Sequence, residues 1–108
     1  MTTPSAAATS LNGSGPGYFF RIAHIMASCA TDQGIPKNAA LSLAASTMAG
    51  AAEMLRQTGI PPETLAQNVA VPGGTTQAAF QAMDRANFDK ALREAMLACA
   101  ARAKELGK

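Results

Sequence analysis

An all-α fold of about five helices is the architecture this chain predicts, on three observations. Long alanine-rich segments carry apolar residues at helical spacing. Gly- and Pro-containing breaker clusters fall between those segments. Only two valines occur, and the β-branched residues never alternate as a strand would require.

At 108 residues the chain makes one domain, near the lower end of what buries a useful core unaided. The first stretch, residues 1 to 11, is expected to be a flexible lead-in, with the helical domain over residues 12 to 108. "NGSGPG", Asn12 to Gly17, then breaks the chain before the first helix. Pro16 suits the opening turn, with Ser14 or Gly15 just ahead of it. In that helix Arg21, His24, Ser28 and Asp32 form a polar stripe, and Phe19, Ile22, Met26 and Cys29 or Ala30 fill the opposite face.

Gly34-Ile35-Pro36 and Gly59-Ile60-Pro61 repeat one word of punctuation. Glycine takes the left-handed position that ends a helix, isoleucine folds back on the last turn, and proline opens the next helix. Residues 37 to 58 between them form a single helix, with Leu41, Ala44, Ala45, Met48, Ala52 and Leu55 on one face and nearly apolar flanks. Such a helix, about 33 Å long at ~1.5 Å per residue, needs cover on most sides. One chain of this size is too small to supply it, so a homodimer through this helix and its neighbours is expected. A short helix over about Pro62 to Asn68 comes next. Thr75 or Thr76 is a natural N-cap for "QAAFQAMDRA". The last helix, about Phe88 to Leu106, has Leu92, Ala95, Met96, Cys99, Ala103 and Leu106 along one seam.

Composition excludes several functions. A net charge of +2 with 15% charged residues makes no polyanion-binding stripe, and one Tyr, four Phe and no Trp give little for bases to stack on, so no nucleic-acid partner is expected. No apolar run reaches the ~18 residues of a membrane span, and the first ten residues lack the features of a signal peptide. A soluble, cytoplasmic protein without a membrane partner is the expectation. Cys29 and Cys99 read as buried free thiols, and with a single His no metal site is expected. The methionines read as core filler, and His24 as a solvated or interface residue more than a general acid or base.

"AVPGGTTQ", residues 70 to 77, carries the candidate chemistry. Proline fixes the approach, and paired glycines let the backbone turn and admit a ligand where a Cβ would block it. The helix after this stretch begins with N–H groups that lack partners and bear positive partial charge, beside two hydroxyls. That combination cradles a small carboxylate or a single phosphate. It also reads as an ordinary capped turn. Without spaced glycines and a lysine it is no triphosphate loop. Asn12-Gly13-Ser14-Gly15-Pro16 is a second loop of the same kind.

Taken in order, "ATSLNGSGPGYFF", "GIP", "AASTMAGAAEML", "NVAVPGGTTQAAF" and "AMLACAARAKEL" resemble the C-terminal helical domain of Δ1-pyrroline-5-carboxylate reductase, over about residues 8 to 106. That family makes proline by NAD(P)H-dependent reduction of a cyclic imine. The resemblance implies a dimerisation domain whose helices interlock with a partner's, and an active site shared with an N-terminal Rossmann domain. It implies that Gly73, Gly74, Thr75 and Thr76 hold the substrate carboxylate, with Thr76 near the ring nitrogen as the catalytic candidate. Val69 and the loop Gly13, Ser14, Gly15 and Pro16 would line the substrate and nicotinamide pocket. Asn12 stands where the family usually has Ser, Ala70 and Val71 where it has small hydroxyl residues, and Gly17 where Ala is commoner.

No G-x-G-x-x-G follows a strand here, so the chain is expected to bind no cofactor alone. NAD(P)H would come with a Rossmann domain in cis or in trans, and the domain by itself should dimerise and reduce nothing. Two other readings compete: a stand-alone helical interaction module that has lost ligand binding, which Ala70 and Val71 favour, and a small anion-binding protein.

Overall fold

The computed structural model describes residues 3–107. Six α-helices and one π-helical turn are arranged in order: α1 (Pro4–Ala8), the π turn (Thr9–Gly13), α2 (Gly15–Asp32), α3 (Lys37–Thr58), α4 (Pro62–Val69), α5 (Thr75–Arg85) and α6 (Phe88–Glu105). Five of these, α2 to α6, are the predicted helices, and there is no strand among the described residues.

The chain divides into two compact units. One runs up to Gly15 and resumes at Glu63; the other is Pro16–Pro62. In the first, α6 is the platform: α1, the π turn and α5 each pack against it. Its small core is Ala6, Ala100 and Ala103. Alanine contributes little area, but it lets two helix backbones approach closely.

The lead-in is therefore not loose where it is described. Thr3 caps α1, its Oγ1 accepting the Ala6 N–H at 3.1 Å, and Pro4 sits in the first turn. A helix of five residues is too short to persist unaided. It forms because Ala6, fully buried, docks with Ala100 and Ala103 of α6. Residues 1 and 2 of that segment lie outside the described residues. Most of the expected breaker cluster is helical as well, with Asn12 and Gly13 inside the π turn and only Ser14 outside regular structure.

In the second unit both glycines end their helices at positive φ as the sequence implies, but the prolines stand just outside the helices that follow: Pro36 is the N-cap of α3, and α4 opens at Pro62, one residue after Pro61. Gly34 has φ 106, its N–H donates to the Thr31 carbonyl at 3.0 Å, and the Ile35 N–H reaches back to the Ala30 carbonyl at 3.1 Å. This pair of bonds closes a helix end and satisfies two of its otherwise open carbonyls. Gly59 caps α3 with φ 65, and the Thr58 hydroxyl, bonded to the Met54 carbonyl, accepts the Ile60 N–H. Gly59→Ala forces a side chain into the left-handed region and is expected to lower stability by about 1–2 kcal/mol, read as a fall in the urea midpoint at unchanged slope.

The unit Pro16–Pro62 has almost no core of its own. Its only buried apolar residues are Ala40 and Ala44, while ten large apolar side chains stand exposed, among them Phe20 at 73% and Leu41 at 57%. Helices α2 and α3 do not pack along their lengths. A groove of about 500 Å³ opens between them, lined by Phe20, His24, Lys37 and Leu41 among others, and a smaller one of about 140 Å³ by Met26, Ala30 and Leu43. Several expected core residues are thus uncovered in the single chain: Met26, Met54 and Met83 are more than 40% exposed, and Cys29 is an exposed free thiol. These ten side chains are 37–73% exposed, so at roughly 1.5–3 kcal/mol for fully burying each, roughly 8–15 kcal/mol is left ungained.

Candidate functional site

The chain leaves α4 at Val69, which is 63% exposed, and turns through Val71, Pro72 and Gly73 into α5. The Gly74 N–H donates to the Val71 carbonyl at 3.0 Å, closing the turn, and Gly73 lies at φ 74. Two glycines are needed for two different reasons. Gly73 takes a backbone conformation that side chains resist. Gly74 has ordinary extended torsions, φ −88 and ψ 177, but a Cβ there would lie 2.7 Å from Val71 Cγ2 and 3.1 Å from the Val71 carbonyl oxygen.

The N-cap of α5 is Gly74, so the threonine cap expected from the sequence does not form; Thr75 and Thr76 are the first two helical residues. The structure instead holds half of a capping box. Gln77, third in the helix, reaches back and accepts the Gly73 N–H at 2.8 Å. In a complete box the cap side chain would return a bond to the helix's first N–H groups. Gly74 has no side chain to return it, and the crowding against Val71 keeps any other residue out. The N–H groups of Thr75 and Thr76 find no hydrogen-bond partner among the described residues. Gln77 is the contributor that sequence reasoning missed. Its partner lies four residues back, one more than the capping-box spacing.

This end of α5 therefore presents open donors, positive dipole density and the half-buried Thr76 beside the exposed Thr75. A small anion bound there would be met by backbone N–H groups and by threonine hydroxyls.

The other predicted loop is built differently. Gly13 ends the π turn, the Ser14 N–H donates to the Thr9 carbonyl at 2.8 Å, and Gly15, buried, starts α2. Gly13, Ser14 and Gly15 belong to the same unit as Val69 and Gly73 to Thr76, and both stretches are carried by elements seated on α6. Pro16 falls in the other unit. His24 is a residue of the α2–α3 groove, apart from these loops in sequence. Among the described residues no three His, Cys, Asp or Glu side chains stand together as metal ligands, and no helix is long and apolar enough to cross a membrane.

Comparison with known proteins gives this arrangement a family. The family model described as pyrroline-5-carboxylate reductase dimerisation matches residues 4–106. A pyrroline-5-carboxylate reductase of Arabidopsis thaliana is 41% identical over 100 residues, covering 93% of this chain and 36% of the relative. One of Methanosarcina acetivorans is 39% identical over 102 residues, covering 94% and 38%. The solved structure of a pyrroline-5-carboxylate reductase from Coxiella burnetii superposes with a TM-score of 0.91 at 34% identity, over 100% of this chain and 41% of that one. The Plasmodium falciparum pyrroline carboxylate reductase, solved with NADP bound, shares the fold at a TM-score of 0.91 and 23% identity, over 96% and 40%. The chain thus spans about two fifths of these relatives or less. With nearly every described residue inside the match, the chain belongs to the pyrroline-5-carboxylate reductase dimerisation family.

Proposed function

We propose that this chain works as a homodimer and holds the substrate carboxylate for an NAD(P)H-dependent reduction of pyrroline-5-carboxylate to proline. The observation that carries the site is the open end of α5, where Gly74 leaves the N–H groups of Thr75 and Thr76 unpaired beside two hydroxyls. A ring carboxylate seated on those donors places the ring over Thr76, whose hydroxyl then donates toward the imine nitrogen. Val69, at 63% exposure, supplies an apolar wall. The Gly13-Ser14-Gly15 loop completes the pocket on the nicotinamide side.

No strand among the described residues provides a β–turn–helix cradle for a pyrophosphate, so the nucleotide belongs to a Rossmann domain supplied in cis or in trans. When bound, NAD(P)H supplies the hydride. This chain's part is to orient the ring, bind its carboxylate and offer a proton donor at its nitrogen. The homodimer is supported by the missing core of the Pro16–Pro62 unit, whose uncovered apolar residues lie mainly on α2 and α3. Two free thiols fit a reducing cytoplasmic setting.

An amide NMR titration with L-proline tests the cradle, since proline carries the same ring carboxylate. Saturable shifts should centre on Gly73 to Thr76, and Thr76→Ala should weaken binding about tenfold, as expected for loss of one hydrogen bond to a charged group. A flat response from a folded dimer would instead favour a helical interaction module without a ligand.

A further inference from the structure

The segment from Thr9 to Gly13 is the one departure from α-helical hydrogen bonding inside a helical run among the described residues, and it lies directly before Ser14 and Gly15. Its register is wide: the Ser14 N–H bonds to the Thr9 carbonyl five residues back, at 2.8 Å. Such turns are rare and less favourable than α-helix, and they persist where something holds them. Two hydroxyls do so here. Thr9 Oγ1 donates to the Ser5 carbonyl at 3.1 Å, and Ser10 Oγ donates to the Ala7 carbonyl at 2.8 Å. Ser10, 5% exposed, is the one buried polar residue among those described, and the turn that contains it packs on α6. On the outer side Leu11 is 66% exposed and Asn12 is exposed, so the extra residue is accommodated toward solvent.

The geometric consequence is large. One residue of α-helix turns the chain by about 100° and advances it about 1.5 Å. A continuous α register from α1 onward would therefore deliver Gly13, Ser14 and Gly15 rotated by roughly that angle about the helix axis. The platform that seats the turn, α6, also seats α5, whose N-terminus is the anion cradle.

We infer that the π turn is a register device that aims the Gly13-Ser14-Gly15 loop, with Ser10 as its positioning residue. The inference rests on the reading that this loop lines the substrate pocket. Ser10 touches no substrate; it acts by keeping the wide turn from relaxing to α.

Three variants of the full chain test it: Ser10→Ala, deletion of Asn12, and Asn12→Ala as the control that keeps chain length. Ser10→Ala should speed hydrogen exchange at the Ser14 amide about fivefold, the loss of one intramolecular bond, with Ala100 and Ala103 amides as protected as before. Deleting Asn12 lets the helix continue in α register. Without that residue the Ser14 N–H meets the Thr9 carbonyl four residues back, so the loop keeps its aim. The melting temperature should hold or rise and the Kd for L-proline stay within about twofold, whereas Ser10→Ala, relaxing to α with the extra residue in place, should raise that Kd about tenfold. A merely structural role for Ser10 would lower stability in Ser10→Ala and leave that Kd unchanged.

The inference is overturned by unchanged Ser14 exchange or an unchanged L-proline Kd in Ser10→Ala, by a folded Asn12 deletion that binds L-proline about tenfold more weakly than the parent, or by Asn12→Ala raising that Kd as Ser10→Ala does. Should the parent chain itself show no response to L-proline at Gly73 to Thr76, the carboxylate reading fails. The Ser14 exchange measurement still decides the role of Ser10.

Discussion

Replacing Leu41 and Leu55 together with glutamate will turn a micromolar solution of this protein from dimer to monomer, with loss of much of its helical signal. Both lie on α3, 57% and 45% exposed in the single chain, and 14 residues apart, about four helical turns, so they share a face. In the proposed dimer that face is covered, and symmetry places four carboxylates in it. Each unpaired buried carboxylate costs several kcal/mol, so the dissociation constant should rise by about a thousandfold or more. Helix loss should accompany dissociation, because the Pro16–Pro62 unit buries only Ala40 and Ala44 without a partner. Sedimentation equilibrium with circular dichroism checks both effects. A variant that remains dimeric at parental affinity would take α3 out of the interface, and a compact, stable parental monomer would remove the dimer altogether.

The elements with local causes were legible in the sequence. Helix α3 runs Lys37–Thr58, the span that Gly34-Ile35-Pro36 and Gly59-Ile60-Pro61 delimit. Those boundaries come from single residues: Gly34 and Gly59 both adopt positive φ, and the prolines resist continuation from the preceding turn. Helix α1 was not legible. Its five residues form only against the surface of α6, and a distant surface leaves no mark on the local pattern. The Thr3-Pro4 pair was a start signal, but a weak one before so short a run. The π turn had no signature either, since its register depends on which carbonyl each N–H selects. The side-chain bonds of Thr9 and Ser10 bear on that choice.

For the site, the need for two glycines and an open helix start could be read directly from Pro72 to Thr76. The division of labour could not. Sequence placed a threonine at the cap because Thr is a good cap residue, whereas the backbone puts Gly74 there and moves both threonines inside the helix. That shift leaves the helix start more open, since a threonine cap would have consumed one of its free donors. Gln77 escaped notice because its partner, Gly73, sits one position before the cap, outside the usual box. Ala70 and Val71, which replace hydroxyl residues of the family pattern, now have a structural account on one side only. Val71 supplies the crowding that keeps Gly74 a glycine. Nothing in the structure explains Ala70.

Gly74→Ala is the substitution expected to abolish the proposed cradle with the smallest chemical change. The added methyl group meets Val71 Cγ2 at 2.7 Å and the Val71 carbonyl oxygen at 3.1 Å. The first contact can be relieved, because Val71 is 56% exposed and its side chain has room to rotate. The second has no such freedom: that oxygen accepts the Gly74 N–H at 3.0 Å, so moving it away opens the turn. Overpacking of this kind costs about 1–3 kcal/mol, which sets the expected loss of stability. The larger effect falls on binding. Once the turn shifts, the N–H groups of Thr75 and Thr76 no longer converge on one anion, and the L-proline Kd should rise more than about tenfold. Adding Val71→Ala removes the Cγ2 contact and keeps the carbonyl, so the double variant should recover stability in part and binding less. Calorimetric titration of the parent, Gly74→Ala and the double variant separates the two contacts. Parental affinity in Gly74→Ala would mean that the anion is not held at this end of α5.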